Sequence, residues 1–187
     1  MILFINACVR AGSRTKRLAD CLITALNKPV KEIRLEECSF PLTDEDFINK
    51  RDRLIAEGKY DDPLFDLARE FSQADEIVIA APFWDFSFPA ALKQYFEQIN
   101  AVGVTFRYNE GGAPEGLCKA RRLFYVTTAG GYFVPEYGFG YVKELAKSFY
   151  GINDTELIKA EELDIYGADV ERILLDCESD IIRRFGR

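Results

Sequence analysis

The loop NACVRAGSRTKRL, residues 6 to 18, carries the residue types of an anion site. Gly12 permits a tight turn, Ser13 is a good helix N-cap, and Arg14 and Thr15 add a positive charge and a hydroxyl where a helix would begin. A helix N-terminus offers unpartnered N–H groups and a partial positive charge, which suits a phosphate monoester. An ordinary capped helix with a solvated basic face uses the same residues, so both interpretations stay open here. The loop matches neither the GxGxxG nor the GxxxxGKS/T pattern.

A second loop, PFWDFSFP, is aromatic where loops are normally polar. Phe83, Trp84, Phe86 and Phe88 fall within six residues, and Trp84 is the only tryptophan of the chain. Aromatic side chains in such a loop indicate a wall for a flat ligand. Packing against the following helix is the simpler interpretation of Phe88, whereas Trp84 and Asp85 are harder to explain as core residues.

A third loop, TTAGGYF, combines hydroxyls with a glycine pair. Thr127 and Thr128 supply the hydroxyls, and Gly130 and Gly131 lack side chains where a backbone would approach a ligand closely. Taken alone, this pattern is equally typical of a glycine turn after a strand. Together, the three loops predict a phosphate pocket, an aromatic wall and a backbone platform.

Strand-like and helical segments alternate along the chain and would position these loops. The predicted strands are Ile2–Asn6, Val30–Leu35, Glu76–Ala81, Leu123–Thr128 and Leu157–Ala160. The predicted helices are Arg14–Leu26, Pro63–Ser72, Pro89–Asn100, Glu136–Tyr150 and Asp169–Arg184. This alternation predicts one α/β domain over residues 1–187, a flavodoxin-like, doubly wound, five-stranded parallel sheet in the order 2-1-3-4-5 with helices on both faces. Ligands bind such folds at the carboxyl ends of the strands, where we expect the three loops to meet.

The polar segment Cys38–Asp62 does not fit the alternation and contains its own helical stretch around Asp44–Glu57. We interpret it as an insertion after the second strand.

Composition excludes several classes of protein. The chain has no histidine, so a Ser-His-Asp triad, a Cys-His dyad and a histidine metal ligand are impossible. Its five cysteines show no metal-ligand spacing, and we predict reduced thiols in the cytoplasm and no bound metal. The net charge of −7 argues against a nucleic-acid partner. The opening MILFIN shows no signal-peptide pattern, and the absence of a long apolar run predicts no membrane span.

The sequence also resembles a known family, the FMN-dependent NADH-azoreductase and NAD(P)H-quinone reductase group of flavodoxin-like proteins. The resemblance covers most of the chain and is clearest in ADEIVIAAPFWDFSFPAALKQYFEQI, VTFRYNEGGAPEGLCKARRLFYVTTAGG and KAEELDIYG. It implies that the FMN phosphate and ribityl chain lie at Cys8, Ser13, Arg14 and Thr15. It implies that the isoalloxazine ring is bordered on one side by Phe83, Trp84, Asp85 and Phe86, and along its other edge by Thr128, Ala129, Gly130 and Gly131.

Four positions depart from the family pattern. Cys8 stands where the family usually has serine, Asp85 where it has asparagine, Ala129 where it has arginine, and Tyr132 where many members have histidine. The resemblance therefore implies FMN more directly than it implies an azo substrate.

The expected function is an FMN oxidoreductase with NADH or NADPH as co-substrate. Hydride transfer to the flavin would precede reduction of a quinone, azo or nitroaromatic acceptor in a ping-pong reaction, with protons from solvent or from Tyr132. The family resemblance also implies a homodimer, and apolar loop residues expected to be exposed agree with it: Phe133, Tyr137, Phe139 and Tyr141. Two alternatives stay open: a non-catalytic flavin module, such as an electron carrier or redox sensor, and a flavin-free protein whose aromatic residues bind a partner.

Overall fold

Five parallel strands form the central sheet in a computed structural model that describes residues 1–186. The strands are β1 (Ile2–Asn6), β2 (Val30–Arg34), β3 (Glu76–Ala80), β6 (Arg122–Thr128) and β7 (Asp154–Ala160). They lie in the order β2-β1-β3-β6-β7, which confirms the predicted 2-1-3-4-5 order when only the strands of this sheet are counted. The three central strands are apolar and almost wholly buried, because helices cover both faces of the sheet.

Alternate side chains of each strand enter different cores. Phe4, Val78 and Phe124 face one cluster, whereas Ile5 and Ile79 face the other. Helices α1 (Arg14–Leu26) and α6 (Val170–Phe185) cover the first cluster, and α3 (Asp66–Gln73), α4 (Ala90–Ile99) and α5 (Phe139–Leu145) contribute to the second. Each loop that leaves the carboxyl end of a strand is thus held between two packed layers.

Helix α1 begins and ends where the sequence predicts. Ser13 accepts a hydrogen bond from the backbone N–H of Lys16 at 3.2 Å, and Asn27 ends the helix in the left-handed conformation. Leu18, Ala19 and Leu22 form its fully buried stripe against the sheet. This burial fixes the start of α1 at the edge of the sheet.

The segment after β2 contains a 3-10 turn, Leu35–Glu37, and helix α2, Glu45–Ala56. Phe47 and Leu54 are the buried residues of α2, and Leu54 belongs to the core cluster beneath α3 and α4. The segment therefore packs on the sheet domain through a few apolar anchors.

Two predicted elements were wrong in their bounds. The single helix predicted over Glu136–Tyr150 is a 3-10 turn (Pro135–Tyr137), then α5, then a π-helical turn (Ala146–Tyr150). Strand β7 begins at Asp154 rather than at Leu157, because an edge strand keeps polar side chains on its open side.

A small antiparallel hairpin was missed altogether, namely β4 (Phe106–Tyr108) and β5 (Pro114–Gly116). Strands of three residues are too short to show a period. Gly116 allows the hairpin to touch the backbone at Tyr150 and Gly151, since a β-carbon there would overlap both residues. Within residues 1–186, no helix combines the length and the apolarity that a membrane crossing requires.

Leu18→Ala tests whether the buried stripe holds α1 in place. The substitution leaves a cavity between α1 and the sheet, and we expect the free energy of unfolding to fall by about 2–5 kcal/mol in urea denaturation. Leu42→Ala is the matched control, because Leu42 is 76% exposed and should change stability by less than about 0.5 kcal/mol. Similar losses in the two variants would contradict the assignment.

Candidate functional site

A cavity of about 380 Å³ opens at the carboxyl edge of the sheet. Loops after four strands, β1, β3, β6 and β7, form its walls, and its volume lies in the range of about 300–1,000 Å³ usual for small-molecule sites. It is lined by Val9, Arg10, Gly12, Ser13, Arg14, Thr15, Pro82, Phe83, Trp84, Thr128, Ala129, Gly130, Leu163 and Asp164. Eight residues of the predicted cofactor site are among them.

The N-terminus of α1 forms one end of the cavity. Within residues 1–186 the backbone N–H groups of Arg14 and Thr15 have no hydrogen-bond partner, and the Ser13 hydroxyl already caps the helix by accepting from Lys16. Two free donors and the positive end of a helix dipole therefore lie at this end of the cavity, and Arg14 also belongs to the lining. This combination suits an anion.

A hydroxyl pair joins the first loop to the loop after β6. Thr15 Oγ1 and Thr128 Oγ1 lie 2.6 Å apart, and both residues are buried. Such a hydrogen bond contributes about 0.5–1.5 kcal/mol to the free energy of unfolding. It also sets the distance between the start of α1 and the end of β6. Thr15 therefore supports the anion end with its side chain and offers its backbone N–H to the cavity.

Cys8 lies under the cavity rather than in its lining. Its backbone N–H donates to Asn6 Oδ1 at 2.9 Å, and its thiol is 3.8 Å from the Ala80 carbonyl oxygen. Burial raises the pKa of the Cys8 thiol above its ordinary value, so the group is neutral at physiological pH. A neutral, buried thiol is a packing group and not a nucleophile.

Phe83 and Trp84 form the aromatic wall. The Phe83 ring lies edge-on to the Phe133 ring, with centroids 4.9 Å apart, and this packing fixes the orientation of the wall. Trp84 is 40% exposed at the mouth of the cavity. Phe88 points away and packs on Phe96 of α4.

Asp85 and Phe86 form the tip of a tight turn and do not line the cavity. Trp84 and Ser87 exchange two backbone hydrogen bonds across the turn, of 3.0 and 2.7 Å. Asp85 and Phe86 have φ values of 50° and 63°, a left-handed geometry usually occupied by Asn-Gly. Both residues are exposed, and within residues 1–186 the Asp85 carboxylate has no hydrogen-bond partner.

The loop after β6 contributes Thr128, Ala129 and Gly130, whereas Gly131 and Tyr132 lie beyond the lining. Tyr132 is 75% exposed. The prediction that Phe133 is exposed was wrong, because its ring is buried against Phe83. Of the other aromatic residues predicted to be exposed, Tyr137 is exposed, and two are half-buried, Phe139 and Tyr141.

Sequence reasoning missed the loop after β7. Its backbone pairs with the loop after β6 through three hydrogen bonds. The donors and acceptors are Glu162 N–H to Gly131 O at 2.9 Å, Leu163 N–H to Ala129 O at 3.2 Å, and Asp164 N–H to Gly130 O at 2.8 Å. Asp164 also accepts from Arg14 Nη1 at 2.8 Å. This loop lies in the segment KAEELDIYG, whose resemblance to the family could have indicated it. We expected only the loops after the first, third and fourth predicted strands at the crevice.

Most other basic side chains near the start of α1 are neutralised. Lys16 pairs with Asp20, and Arg17 pairs with Glu171 and Glu178. The Arg17 guanidinium lowers the pKa of the Glu171 carboxyl below its ordinary value. In the described part of the chain, Arg10 has no carboxylate within 4 Å, and no cluster of acidic or cysteine side chains could hold a metal ion.

Comparison with known proteins agrees with this architecture. A family model described as a flavodoxin-like fold matches residues 1–184. An azoreductase from Bacillus anthracis str. Sterne superimposes with a TM-score of 0.84 at 23% identity, covering 98% of this chain and 97% of that one. An FMN-dependent NADH-azoreductase from B. anthracis str. Ames Ancestor, solved in complex with FMN, gives 0.79 at 22% identity and covers 99% of each chain. These likenesses establish the fold.

Relatives found by sequence identity show the family as well as the fold. The chain is 37% identical to "FMN-dependent NADH:quinone oxidoreductase 2" of Clostridium acetobutylicum, over 90% of this chain and 88% of the relative. It is 34% identical to the FMN-dependent NADH:quinone oxidoreductase of Coprothermobacter proteolyticus, over 88% and 86% of the two chains. The chain therefore belongs to the flavodoxin-like family that includes the FMN-dependent NADH:quinone oxidoreductases.

Proposed function

We propose that the chain is an FMN-dependent oxidoreductase that transfers electrons from NADH to a quinone. The observation that carries this proposal is the composition of the cavity. One end offers the free N–H groups of Arg14 and Thr15, and the wall beyond it is formed by Phe83 and Trp84. The named activity of relatives up to 37% identical supports the same assignment.

The donors at the anion end fit a single phosphate monoester. Arg14 and Thr15 would hold it through their backbone N–H groups, and the Arg14 guanidinium would supply positive charge. Lys16 and Arg17 lie next along the helix, and both are paired with carboxylates. A second phosphate placed farther along α1 would meet only these paired cations, and the FMN named in the relatives favours FMN over FAD.

The opposite part of the cavity fits a flat heterocycle. Phe83 and Trp84 would flank the ring, with Thr128, Ala129 and Gly130 along its edge. Within residues 1–186 the N–H groups of Gly130 and Gly131 have no partner, so they can donate to ring heteroatoms. When bound, FMN supplies hydride and electron transfer, and the protein supplies binding, orientation and exclusion of water.

The remaining predicted site residues would act around this lining. Cys8 supports the loop from below, and Asp85 and Phe86 stand at the rim. Tyr132 is a proton source that solvent can replace, since it is exposed next to the glycine pair. NADH or NADPH and the acceptor would use the open mouth in turn, as a ping-pong reaction requires, and azo or nitroaromatic acceptors would enter the same way.

We also propose a cytoplasmic homodimer. All five cysteines are free, which agrees with a reducing compartment. Aromatic side chains are exposed around the mouth and beyond it, which is more apolar surface than a monomer usually leaves bare: Trp84, Phe86, Tyr132, Tyr137 and Tyr166. A partner subunit packed beside the mouth would bury part of this surface and leave the mouth itself open to substrates.

The cofactor and the reaction are tested together in the purified protein. We expect a yellow protein that releases one FMN per chain on heating, loses its visible absorbance with NADH in the absence of oxygen, and regains it when a quinone is added. Stoichiometric FAD would contradict the single-phosphate site. Slow bleaching by NADH would favour an electron carrier, and a protein that stays colourless with added FMN would favour a partner-binding role for the aromatic residues.

Ser13→Ala tests the anion end. The substitution removes the cap of α1 and a hydroxyl at the phosphate site, and we expect the dissociation constant for FMN to rise at least tenfold, as for the loss of a charge-assisted hydrogen bond worth about 1.5–3 kcal/mol. Fluorescence titration with FMN measures it. Thr24→Ala, at the far end of the same helix, is the matched control and should bind FMN like the parent. Equal affinities of the two variants would place the phosphate elsewhere.

Sedimentation tests the assembly. We expect a dimer at micromolar concentration, because burial of the exposed aromatic side chains favours association. A fully active monomer at that concentration would contradict the proposal.

A further inference from the structure

An ion pair crosses the cavity between the loops after the first and the last strand of the sheet. Arg14 Nη1 donates to Asp164 Oδ1 at 2.8 Å, and the Leu163 carbonyl oxygen lies 3.5 Å from the same nitrogen. Both charged residues line the cavity. The guanidinium of the first residue of α1 is therefore held by a side chain from the loop after β7.

The Asp164 side chain is not needed to hold its own loop. Backbone bonds from Glu162, Leu163 and Asp164 to the loop after β6 already do so. The Arg14 and Asp164 side chains are 41% and 69% exposed, and an ion pair this exposed contributes little to the stability of a fold. The consequence of the pair is the orientation of Arg14.

Asp164 does not use up the hydrogen-bonding capacity of Arg14. Within residues 1–186 only Nη1 of the guanidinium has a partner, so Nε and Nη2 keep their N–H groups for another acceptor. A flexible arginine that is already oriented loses less side-chain entropy when it binds an anion.

Gly130 provides the room for this arrangement. A β-carbon at Gly130 would overlap the Asp164 carboxylate, so the carboxylate occupies space that a larger residue would fill. The loops after β1, β6 and β7 thus meet at one contact.

We propose that Asp164 is a positioning residue for FMN: it holds the Arg14 guanidinium where the phosphate of the cofactor binds. The proposal rests on the proposed function, since it assigns the anion at this site to a flavin phosphate. Asp164 acts through Arg14, and Arg14 contacts the phosphate.

The ratio of FMN affinity to riboflavin affinity isolates the phosphate, because riboflavin shares the ring and ribityl chain but lacks that group. Both affinities are measured by fluorescence titration of the full-length chain after removal of flavin. The variants are Asp164→Ala, which removes the acceptor, and Asp164→Asn, which keeps an oxygen that accepts from Arg14. Asp154→Ala is the matched control, because Asp154 pairs with Arg122 far from the cavity.

We expect Asp164→Ala to lower the FMN-to-riboflavin ratio by up to about tenfold, because an Arg14 side chain that is no longer held loses more side-chain entropy when it binds the phosphate. The FMN-to-riboflavin ratio of Asp164→Asn should stay within about threefold of the parent's ratio or exceed it. The ratio of Asp154→Ala should match that of the parent. In an Arg14→Ala background, Asp164→Ala should have no further effect on the ratio, because the two residues act as one unit. Thermal melting checks folding, and Asp164→Ser replaces the alanine variant if that one is unstable.

An FMN-to-riboflavin ratio that is unchanged or raised in Asp164→Ala would overturn the proposal. A ratio that falls as far in Asp164→Asn as in Asp164→Ala would also overturn it. Either result would leave the proposed function standing if the parent still prefers FMN. A parent chain that binds neither flavin would instead contradict the proposed function itself.

Discussion

The site depends on one constraint, namely that all five strands of the sheet are parallel. Parallel strands end at the same edge, so the loops that follow β1, β3, β6 and β7 converge there. Each crossover helix must also begin near that edge, and the burial of Leu18, Ala19 and Leu22 places the N-terminus of α1 at the cavity. The free N–H groups at the start of α1 are thus a consequence of the fold.

The cavity is held in shape mainly by packing. The Phe83 and Phe133 rings and the buried pair of Thr15 and Thr128 join neighbouring loops without charge. The Arg14 and Asp164 pair is exposed, so it orients a side chain rather than stabilising the fold. A preorganised site of this kind binds a ligand with little rearrangement of the protein.

The sequence predicts most accurately the elements in which a local pattern of apolar residues matches the buried face. Helix α1 was predicted residue by residue, because Ser13 caps it and a clear apolar stripe follows. The loop after β7 was not expected at the site, because its polar residues reach the cavity only through tertiary pairing with Gly130. The left-handed turn at Asp85 and Phe86 contains neither glycine nor asparagine, so no local signal marks it. Phe133 looked like a loop residue, and only its contact with Phe83 makes it part of the core.

A crystal structure of the full-length chain with bound FMN is the most direct test of the central claim. We expect phosphate oxygens within about 2.7–3.2 Å of the backbone nitrogens of Arg14 and Thr15. We also expect the Arg14 guanidinium to contact the phosphate while it remains paired with Asp164. A phosphate bound at Arg10, or at any place away from the start of α1, would contradict both expectations.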